Sequence, residues 1–374
     1  MLRFIHTSDL HLGRTFRGRP PDLAEQLAEA RFDCIGRLAG AARSHGYATV
    51  LLSGDTWDSE LASDRVLRQS LDRFAEQSDI RWGLLPGNHD PLSAGGLWDR
   101  VAAVAVPNLH LLLTPEPVEL APGGWILPAP CNRPGGPEDP TEWMADARTP
   151  EGAVRIGLAH GSVRDFSSDG SGGIIAPDLA ERAGLDYLAL GDWHGWTAFG
   201  PRTLYSGTPE PDKFREGSGH ASAVSIAGPG AVPDIRKWPV ARFYWCEVDL
   251  DISVEPDADA ALTAGLPADV ARRDVLLSLR LSGSVRPQAR ADWTRAVGDL
   301  RLSLAELRLD DSALQTLMEA DDLDLIDRQG ALREAANALK AASTDDAQTA
   351  EERAVAARAL DLLFTWAQDA GQAR

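Results

Sequence analysis

Residues 3–11 read RFIHTSDLH, a short and mostly apolar run, Arg3–Thr7, that ends abruptly in the polar cluster Asp9-Leu10-His11. Residues two apart on an extended chain send their side chains to the same side, so Asp9 and His11 leave the strand end together and can reach one ion. The arrangement recurs four times. Ala48–Leu52 runs into Gly54-Asp55-Thr56-Trp57-Asp58, Arg81–Leu85 into Gly87-Asn88-His89-Asp90, Arg155–Ala159 into His160-Gly161, and Tyr187–Leu190 into Gly191-Asp192-Trp193-His194. Strands are also predicted at His110–Leu113 and Trp125–Pro128 and in a strand-rich stretch from Leu204 to Val240. With helical patterns at Asp22–Ser44 and Ser63–Gln77, residues 1–245 read as an α/β domain. Open α/β sheets gather ligands beyond the C-terminal ends of their strands, which is where all five clusters fall. The glycines before Asp55, Asn88 and Asp192 permit the tight turns that leave the next side chain pointing into a site.

The donor chemistry narrows the function. A lone histidine at a strand end is usually structural, but five clusters in this order are not chance. Aspartate, histidine and an asparagine carbonyl, without cysteine, form a mixed nitrogen and oxygen set suited to Mn²⁺, Fe²⁺, Mg²⁺ or Zn²⁺. There are enough ligands for two ions. Two ions about 3.5–4 Å apart, sharing a carboxylate and keeping positions open for water and substrate, are the arrangement that hydrolyses phosphate esters.

The remaining sequence sets bounds. The chain has 374 residues, 44% hydrophobic and 25% charged, with no apolar stretch long enough to span a bilayer. Its first residues run from Met1 straight into the first motif without a signal-peptide pattern, so a cytoplasmic location is expected. Cys34, Cys131 and Cys246 fit neither a disulfide framework nor a zinc cluster. A net charge of -19 argues against holding nucleic acid by bulk electrostatics. Locally, Arg14, Arg17 and Arg19 after the first motif are either phosphate contacts or a solvated loop, and Trp57, Trp193 and Trp196 either stack on bases, or wall the site or pack against the second domain. The Pro/Gly-dense Pro128–Pro140 and the Gly/Ser run Ser167–Gly173 read as loops.

Beyond residue 245 the pattern changes. Strands at Phe243–Asp251, Asp274–Ser282 and Ser303–Leu309 and a helix at Gln288–Gly298 suggest a small α+β domain over 246–310. Residues 311–374 read as helical, with Leu314, Leu317 and Met318 at helical spacing, Ala341–Arg353 as a flexible tether, and a last helix from about Thr349 to Asp369. Val355, Ala359, Leu362 and Trp366, broadened by Leu363, form a seam fit to lie along another helix, of this chain or of a partner.

The ordered set DxH, GDxxD, GNH[DE], HG and a final GxxH resembles the calcineurin-like metallophosphoesterases over residues 1–245. The segments FIHTSDLHLGRTF (4–16), LLSGDTWD (51–58), LPGNHDP (85–91), YSGTPEPDKF (205–214) and DLIDRQGALREAANAL (324–339) resemble the DNA-repair nuclease branch typified by bacterial SbcD. The resemblance implies a two-sheet αββα sandwich with a small capping domain and C-terminal helices. It also implies two divalent ions, Mn²⁺ foremost, one held by Asp9, His11, Asp55 and His194 and the other by Asp55, Asn88, His160 and Asp192. His89 would be catalytic; Asp90 is grouped with it, with Asp90 or Asp58 orienting neighbouring ligands. The family's last motif is normally GHxH, so Asp192 replaces a histidine, leaving open a preference for Mn²⁺ or Mg²⁺, weaker binding or partial loss of the second site. The implied activity is hydrolysis of DNA phosphodiesters, with an SbcC-like coiled-coil ATPase as partner, a homodimer and no membrane. The rivals are a phosphoesterase of cyclic nucleotides or phosphomonoesters, and a catalytically weakened regulatory subunit.

Overall fold

Strand β1 (Leu2–Thr7) shows how the sequence builds two layers at once. Leu2 and Phe4 point into one buried cluster and Ile5 into another, the period-two alternation of an extended chain. In the computed structural model, which describes the chain apart from residues 133–138, 165–174, 215–216, 254–256, 318–325, 327–329 and 373–374, β1 pairs in parallel with β2 (Thr49–Leu52). The parallel ladder continues through β3 (Arg81–Leu84) and β4 (Leu109–Leu111). Parallel neighbours need crossovers. Helices α1 (Pro21–Ser44), α2 (Asp64–Ala75) and α3 (Leu97–Val104) supply them. Proline in the first turn and Asp22 favour the start of α1, and the Ser63 side chain accepts from the Val66 amide at the start of α2.

A second sheet repeats the scheme. Strands β5 (Val118–Ala121), β6 (Gly124–Ala129), β7 (Val154–His160), β8 (Tyr187–Gly191), β9 (Thr197–Phe199) and β10 (Thr203–Tyr205) lie in the order β5-β6-β7-β8-β10-β9. Helix α4 (Leu179–Arg182) lies between β7 and β8 in the chain. Strands β11 (His220–Ile226) and β12 (Asp234–Pro239) return antiparallel to the open edge of the first sheet, beside β1. Leu2, Phe4, Leu51, Val224, Ile156, Tyr187 and Leu204 pack between the sheets. The outer face of the first sheet is covered by Phe32, Ile35, Leu38 and Phe74, and that of the second by Met144 and Leu179. The result is the αββα sandwich. β1, β2, β3, β7 and β8 all end at one rim.

The chain divides into two compact units, Met1–Tyr244 and Trp245–Arg374. In the second, β13 (Tyr244–Asp251), β14 (Val275–Val285) and β15 (Glu306–Thr316) form a three-stranded sheet. After helix α5 (Ala258–Ala264), the longer α6 (Pro287–Arg301) joins the parallel pair β14 and β15 and lays Trp293, Val297 and Leu300 over Leu277, Leu279 and Leu281. The helix expected from Asp311 does not begin there: residues 311–316 continue β15. The spacing of Leu314 and Leu317 suits a helix, but β14 is eleven residues long and pairs through to Thr316. Arg290 secures that end by donating to the Leu314 carbonyl at 3.2 Å and to Asp311 at 3.0 Å. Met318, the Ser167–Gly173 run and part of Pro128–Pro140 lie outside the described residues.

Helices α7 (Ala331–Ser343) and α8 (Ala350–Gln372) leave only residues 344–349 between them, so the expected tether is mostly helix. Thr349 and Glu352 close a reciprocal capping box at the start of α8. The buried line of α8 is Ala356, Leu360 and Phe364, flanked by Leu363 and Ala367. The seam identified in the sequence lies beside that line: Val355, Leu362 and Trp366 are exposed by 64%, 40% and 66%. Among the described residues no helix is long and apolar enough to cross a membrane.

One polar side chain ties the sheets together. His6, fully buried, has Nδ1 2.8 Å from the Tyr187 hydroxyl and Nε2 2.9 Å from Ser53 Oγ. Burial lowers its pKa from 6.5 to about 3, so the folded protein keeps it neutral while the unfolded chain protonates it below about 6.5. Stability should therefore fall as pH drops from about 6.5 toward 3. Urea melts at pH 7 and pH 5 should show this slope in the wild type and a shallower one in His6→Gln. His6→Leu should cost about 1–3 kcal/mol at pH 7 by leaving two buried hydroxyls unpaired.

Candidate metal centre

The rim loops are joined by their backbones before any side chain is considered. The Asp9 amide donates to the Gly54 carbonyl at 3.1 Å, His11 to Asp55 at 3.0 Å and Leu12 to Thr56 at 2.9 Å, which lays the first motif along the second. The geometry requires unusual backbone conformations. Among the described residues five non-glycine positions have positive φ, and four are Asp9 (56°), His11 (46°), Asp55 (54°) and Asp192 (103°). Such conformations cost about 1–3 kcal/mol each and persist where the surroundings over-determine them. Space is equally tight: a Cβ on Gly87 would lie 2.1 Å from Asp55 Oδ1, and one on Gly191 would lie 2.0 Å from the Ser53 carbonyl. These glycines are needed for close approach as well as for turning.

Three histidines face inward by the same device. Nδ1 of His160 is 2.7 Å from the Ser53 carbonyl, Nδ1 of His194 is 3.2 Å from Asp212 Oδ1, and Nδ1 of His11 is 3.2 Å from Asp58 Oδ1. Carbonyls and carboxylates only accept, so Nδ1 carries a hydrogen in His160 and His194, while His11 Nδ1 meets Asp58 as a close ion-pair contact without hydrogen-bond geometry; all three Nε2 atoms face the bowl. An outer acceptor on one ring nitrogen and a free lone pair on the other is the usual setting of a metal-binding histidine. The Nε2 atoms of His11 and His194 stand 3.2 Å apart. Two lone pairs so close repel unless a cation or proton lies between them.

The carboxylates complete the set. Asp55 is the hinge, with Oδ2 3.7 Å from His11 Nε2 and Oδ1 3.5 Å from His160 Nε2. Asp9 Oδ1 is 3.9 Å from His11 Nε2 and 3.8 Å from His194 Nε2, and Asn88 Oδ1 is 3.0 Å from His160 Nε2. Donor atoms of Asp9, His11 and His194 lie within 4.8 Å of one another, as do those of Asp9, Asp55 and His160. Asp192 stands at the edge, its side chain 32% exposed and its carboxylate 3.9 Å from His160 Nε2, while its amide points to both oxygens of Asp9 at 3.3 Å.

The charges of the cluster suit a cation. Burial would depress the His160 imidazolium, but Asp55, Asp9 and Asp192, with the Ser53 carbonyl, overcome it and raise its pKa to about 9. Burial and the repulsion of Asp9 and Asp55 push Asp192 up, against the pull of His160 and His194. The cluster draws a proton onto one ligand and holds another carboxylate back from ionising, the signature of a site short of positive charge. Divalent ions fit it.

His89 is exposed at the rim, its amide donating to Asp55 Oδ1 at 2.9 Å and its Nδ1 3.0 Å from the Asp58 carbonyl, with Nε2 left for a substrate. Its ring stands edge-on to His11 with centroids 4.8 Å apart. Asp90 does not share that position. It is fully buried, accepting from the Gly87 amide at 2.6 Å and the Trp57 amide at 3.0 Å, so it ties the second motif to the third and cannot touch substrate. Trp57 is likewise buried, bonded to Ser70, and Trp193 and Trp196 pack against the apolar clusters of the sandwich. Asp212 and buried Arg31 were not singled out in the sequence. Arg31 donates to the Leu10 carbonyl at 2.7 Å, pinning the first motif to α1. Burial opposes ionisation of Asp212, but His194, Arg31 and Arg14 hold its carboxyl far below the usual range. A cavity of about 540 Å³ lies elsewhere, near the start of β7 and β8, and its Arg155 and Arg202 are engaged with backbone carbonyls.

An ion held by His160 would displace its proton, so Mn²⁺ affinity should rise with pH up to about 9 and binding near pH 7.5 should release protons. Calorimetric titrations in buffers of different ionisation enthalpy measure that release directly. Asp192→His, which places a softer donor at the edge of the bowl, should raise the affinity for Zn²⁺ relative to Mn²⁺. Competition titrations of parent and variant check this; identical metal profiles would mean that Asp192 is not a ligand.

The metallophosphoesterase YhaO of Bacillus subtilis (strain 168), itself described as uncharacterized, is 25% identical over 226 residues, 58% of this chain and 55% of that protein. The chain thus spans about half the length of that curated relative. The crystal structure of TT1561 of Thermus thermophilus aligns over 64% of this chain and 98% of its own, with 12% identity and a TM-score of 0.40. The model of the calcineurin-like phosphoesterase family matches residues 2–196, from the first strand through the last ligand motif, and the chain belongs to that family.

Proposed function

We propose that this protein is a two-metal phosphodiesterase that hydrolyses DNA. The observation that carries the hydrolytic reading is Asp55, whose two carboxylate oxygens face His11 on one side and His160 on the other. Asp9, His11, Asp55 and His194 would hold one ion, and Asp55, Asn88, His160 and Asp192 the other. Divalent ions supply a water acidic enough to act as nucleophile near neutral pH and positive charge for the phosphoryl oxygens. The protein's own part is positioning. Asp55 fixes the spacing of the two sites, while the Ser53 carbonyl, Asp58 and Asp212 keep three imidazoles aimed inward. His89, exposed and steadied through Nδ1, is placed to give a proton to the oxygen that leaves phosphorus.

The choice of DNA rests on the segments at 4–16, 51–58, 85–91 and 205–214 that resemble the SbcD-like nucleases, and on a second unit of a size that a compact phosphatase does not need. Net negative charge is no obstacle, because two divalent ions bring four positive charges to a bowl whose Asp9, Asp55 and Asp192 bring three negative ones. On this reading the protein works as a cytoplasmic homodimer, and the exposed face of Val355, Leu362 and Trp366 takes a coiled-coil ATPase of the SbcC type.

His89→Ala should lower turnover of labelled DNA by about 10²–10⁴-fold while leaving the metal content unchanged, as expected for a positioned proton donor. Hydrolysis of single- and double-stranded DNA by the Mn²⁺-loaded protein, beside a phosphomonoester and a cyclic nucleotide, tests the substrate. Preference for the small substrates would overturn the DNA reading, and no turnover of any would favour a regulatory subunit. Trp366→Asp should abolish co-purification with an SbcC-like ATPase from the same genome without changing hydrolysis; persistence of the complex would place the docking surface elsewhere.

A further inference from the structure

Arg14 follows the first ligand motif, on a turn closed by its own amide, which donates to the His11 carbonyl at 3.1 Å. In the sequence it is a candidate phosphate contact. In the structure its guanidinium is engaged inside the protein. Nη1 donates to Asp58 Oδ1 at 3.2 Å, and Nη2 forms an ion pair with Asp212 Oδ2 at 3.0 Å. Those two carboxylates stand behind His11 and His194, the pair whose Nε2 atoms lie 3.2 Å apart.

We propose that Arg14 is a positioning residue for the first ion, a single fork that grips the carboxylates behind both of its histidines and so sets the two imidazoles as a pair. The inference rests on the two-metal reading above. Its physical basis is the planar guanidinium, whose two outer nitrogens can hold two carboxylates at a fixed separation. Without it, Asp58 and Asp212 are free to turn independently, and each imidazole follows its own carboxylate. Arg31 is no substitute. One of its nitrogens is spent on the Leu10 carbonyl, and its approach to Asp212 is 3.8 Å. Arg14 also lies at the surface, with about a quarter of its side chain exposed, so replacing it opens no cavity in the core.

Calorimetric Mn²⁺ titration of the full chain tests the clamp, with His194→Ala and His160→Ala identifying which binding event belongs to which site. Arg14→Gln should weaken the first-site event by about 10–100-fold, the usual effect of losing an outer partner. It should leave the other event and the metal-free melting temperature unchanged. Arg14→Lys, which keeps the charge but cannot fork, should recover only part of the loss, and Arg17→Gln on the same loop should have no effect. Wild-type affinities in Arg14→Gln would overturn the clamp, and full affinity in Arg14→Lys would overturn the fork. Should Arg14→Gln lower the metal-free melting temperature, a double-mutant cycle with Asp212→Asn decides: losses that add overturn the proposal, and losses that overlap support it. A wild-type protein that takes up no ion would refute the metal reading, and the clamp with it.

Discussion

The repulsion among carboxylates gathered in one buried bowl is the constraint around which the rest of this domain is arranged. Asp9 and Asp55 are almost fully buried and Asp192 stands at their edge. At such short range and in a low effective dielectric, burial and the like charge of Asp9 and Asp55 push Asp192 toward its neutral form, while His194, His160 and His11 hold Asp9 ionised against its own burial. The same field favours the charged form of His160 despite its burial. Divalent ions would relieve it, and the acceptors outside the bowl fix the face that each imidazole turns inward. The left-handed backbones of Asp9, His11, Asp55 and Asp192 follow from the same constraint, since only sharp turns bring carboxylates from separate strands to one point.

The sandwich makes this convergence possible. β1, β2 and β3 run in parallel in one sheet, and β7 and β8 in the other, so both sheets deliver strand ends to the same rim. His6 bridges the layers through Tyr187 and Ser53, and Ser53 in turn supplies the carbonyl that orients His160. The polar tie between the sheets and the orientation of a candidate ligand therefore meet in one residue. Asp58 doubles in the same way, backing His11 with its carboxylate and His89 with its carbonyl.

Much of this was legible in the sequence because strands buried on both faces read as apolar runs, and because each run ended in a polar cluster. The outer partners were less legible. The Ser53 carbonyl is backbone and has no residue signature. Asp212 sits within a segment noted for its resemblance, but nothing local marks it as the support of His194. Asp90 looked like a second functional group beside His89, yet consecutive residues at a turn diverge, and one faces the rim while the other is buried. Beyond residue 310, i, i+3 spacing of leucines was outweighed by a long neighbouring strand, since pairing along β14 satisfies more of the backbone than a short helix there would. The apolar positions of α8 were identified correctly as helical, but the buried line is Ala356, Leu360 and Phe364, offset by one or two residues from the seam that spacing suggested. Periodicity finds a helix readily; which of two adjacent apolar stripes is covered depends on its neighbours.

The central claim is that Asp55 bridges two ions, and anomalous diffraction from crystals soaked in Mn²⁺ tests it most directly. Two peaks about 3.5–4 Å apart, one on each side of the Asp55 carboxylate, are expected. A single peak, or two peaks that Asp55 does not join, would contradict it.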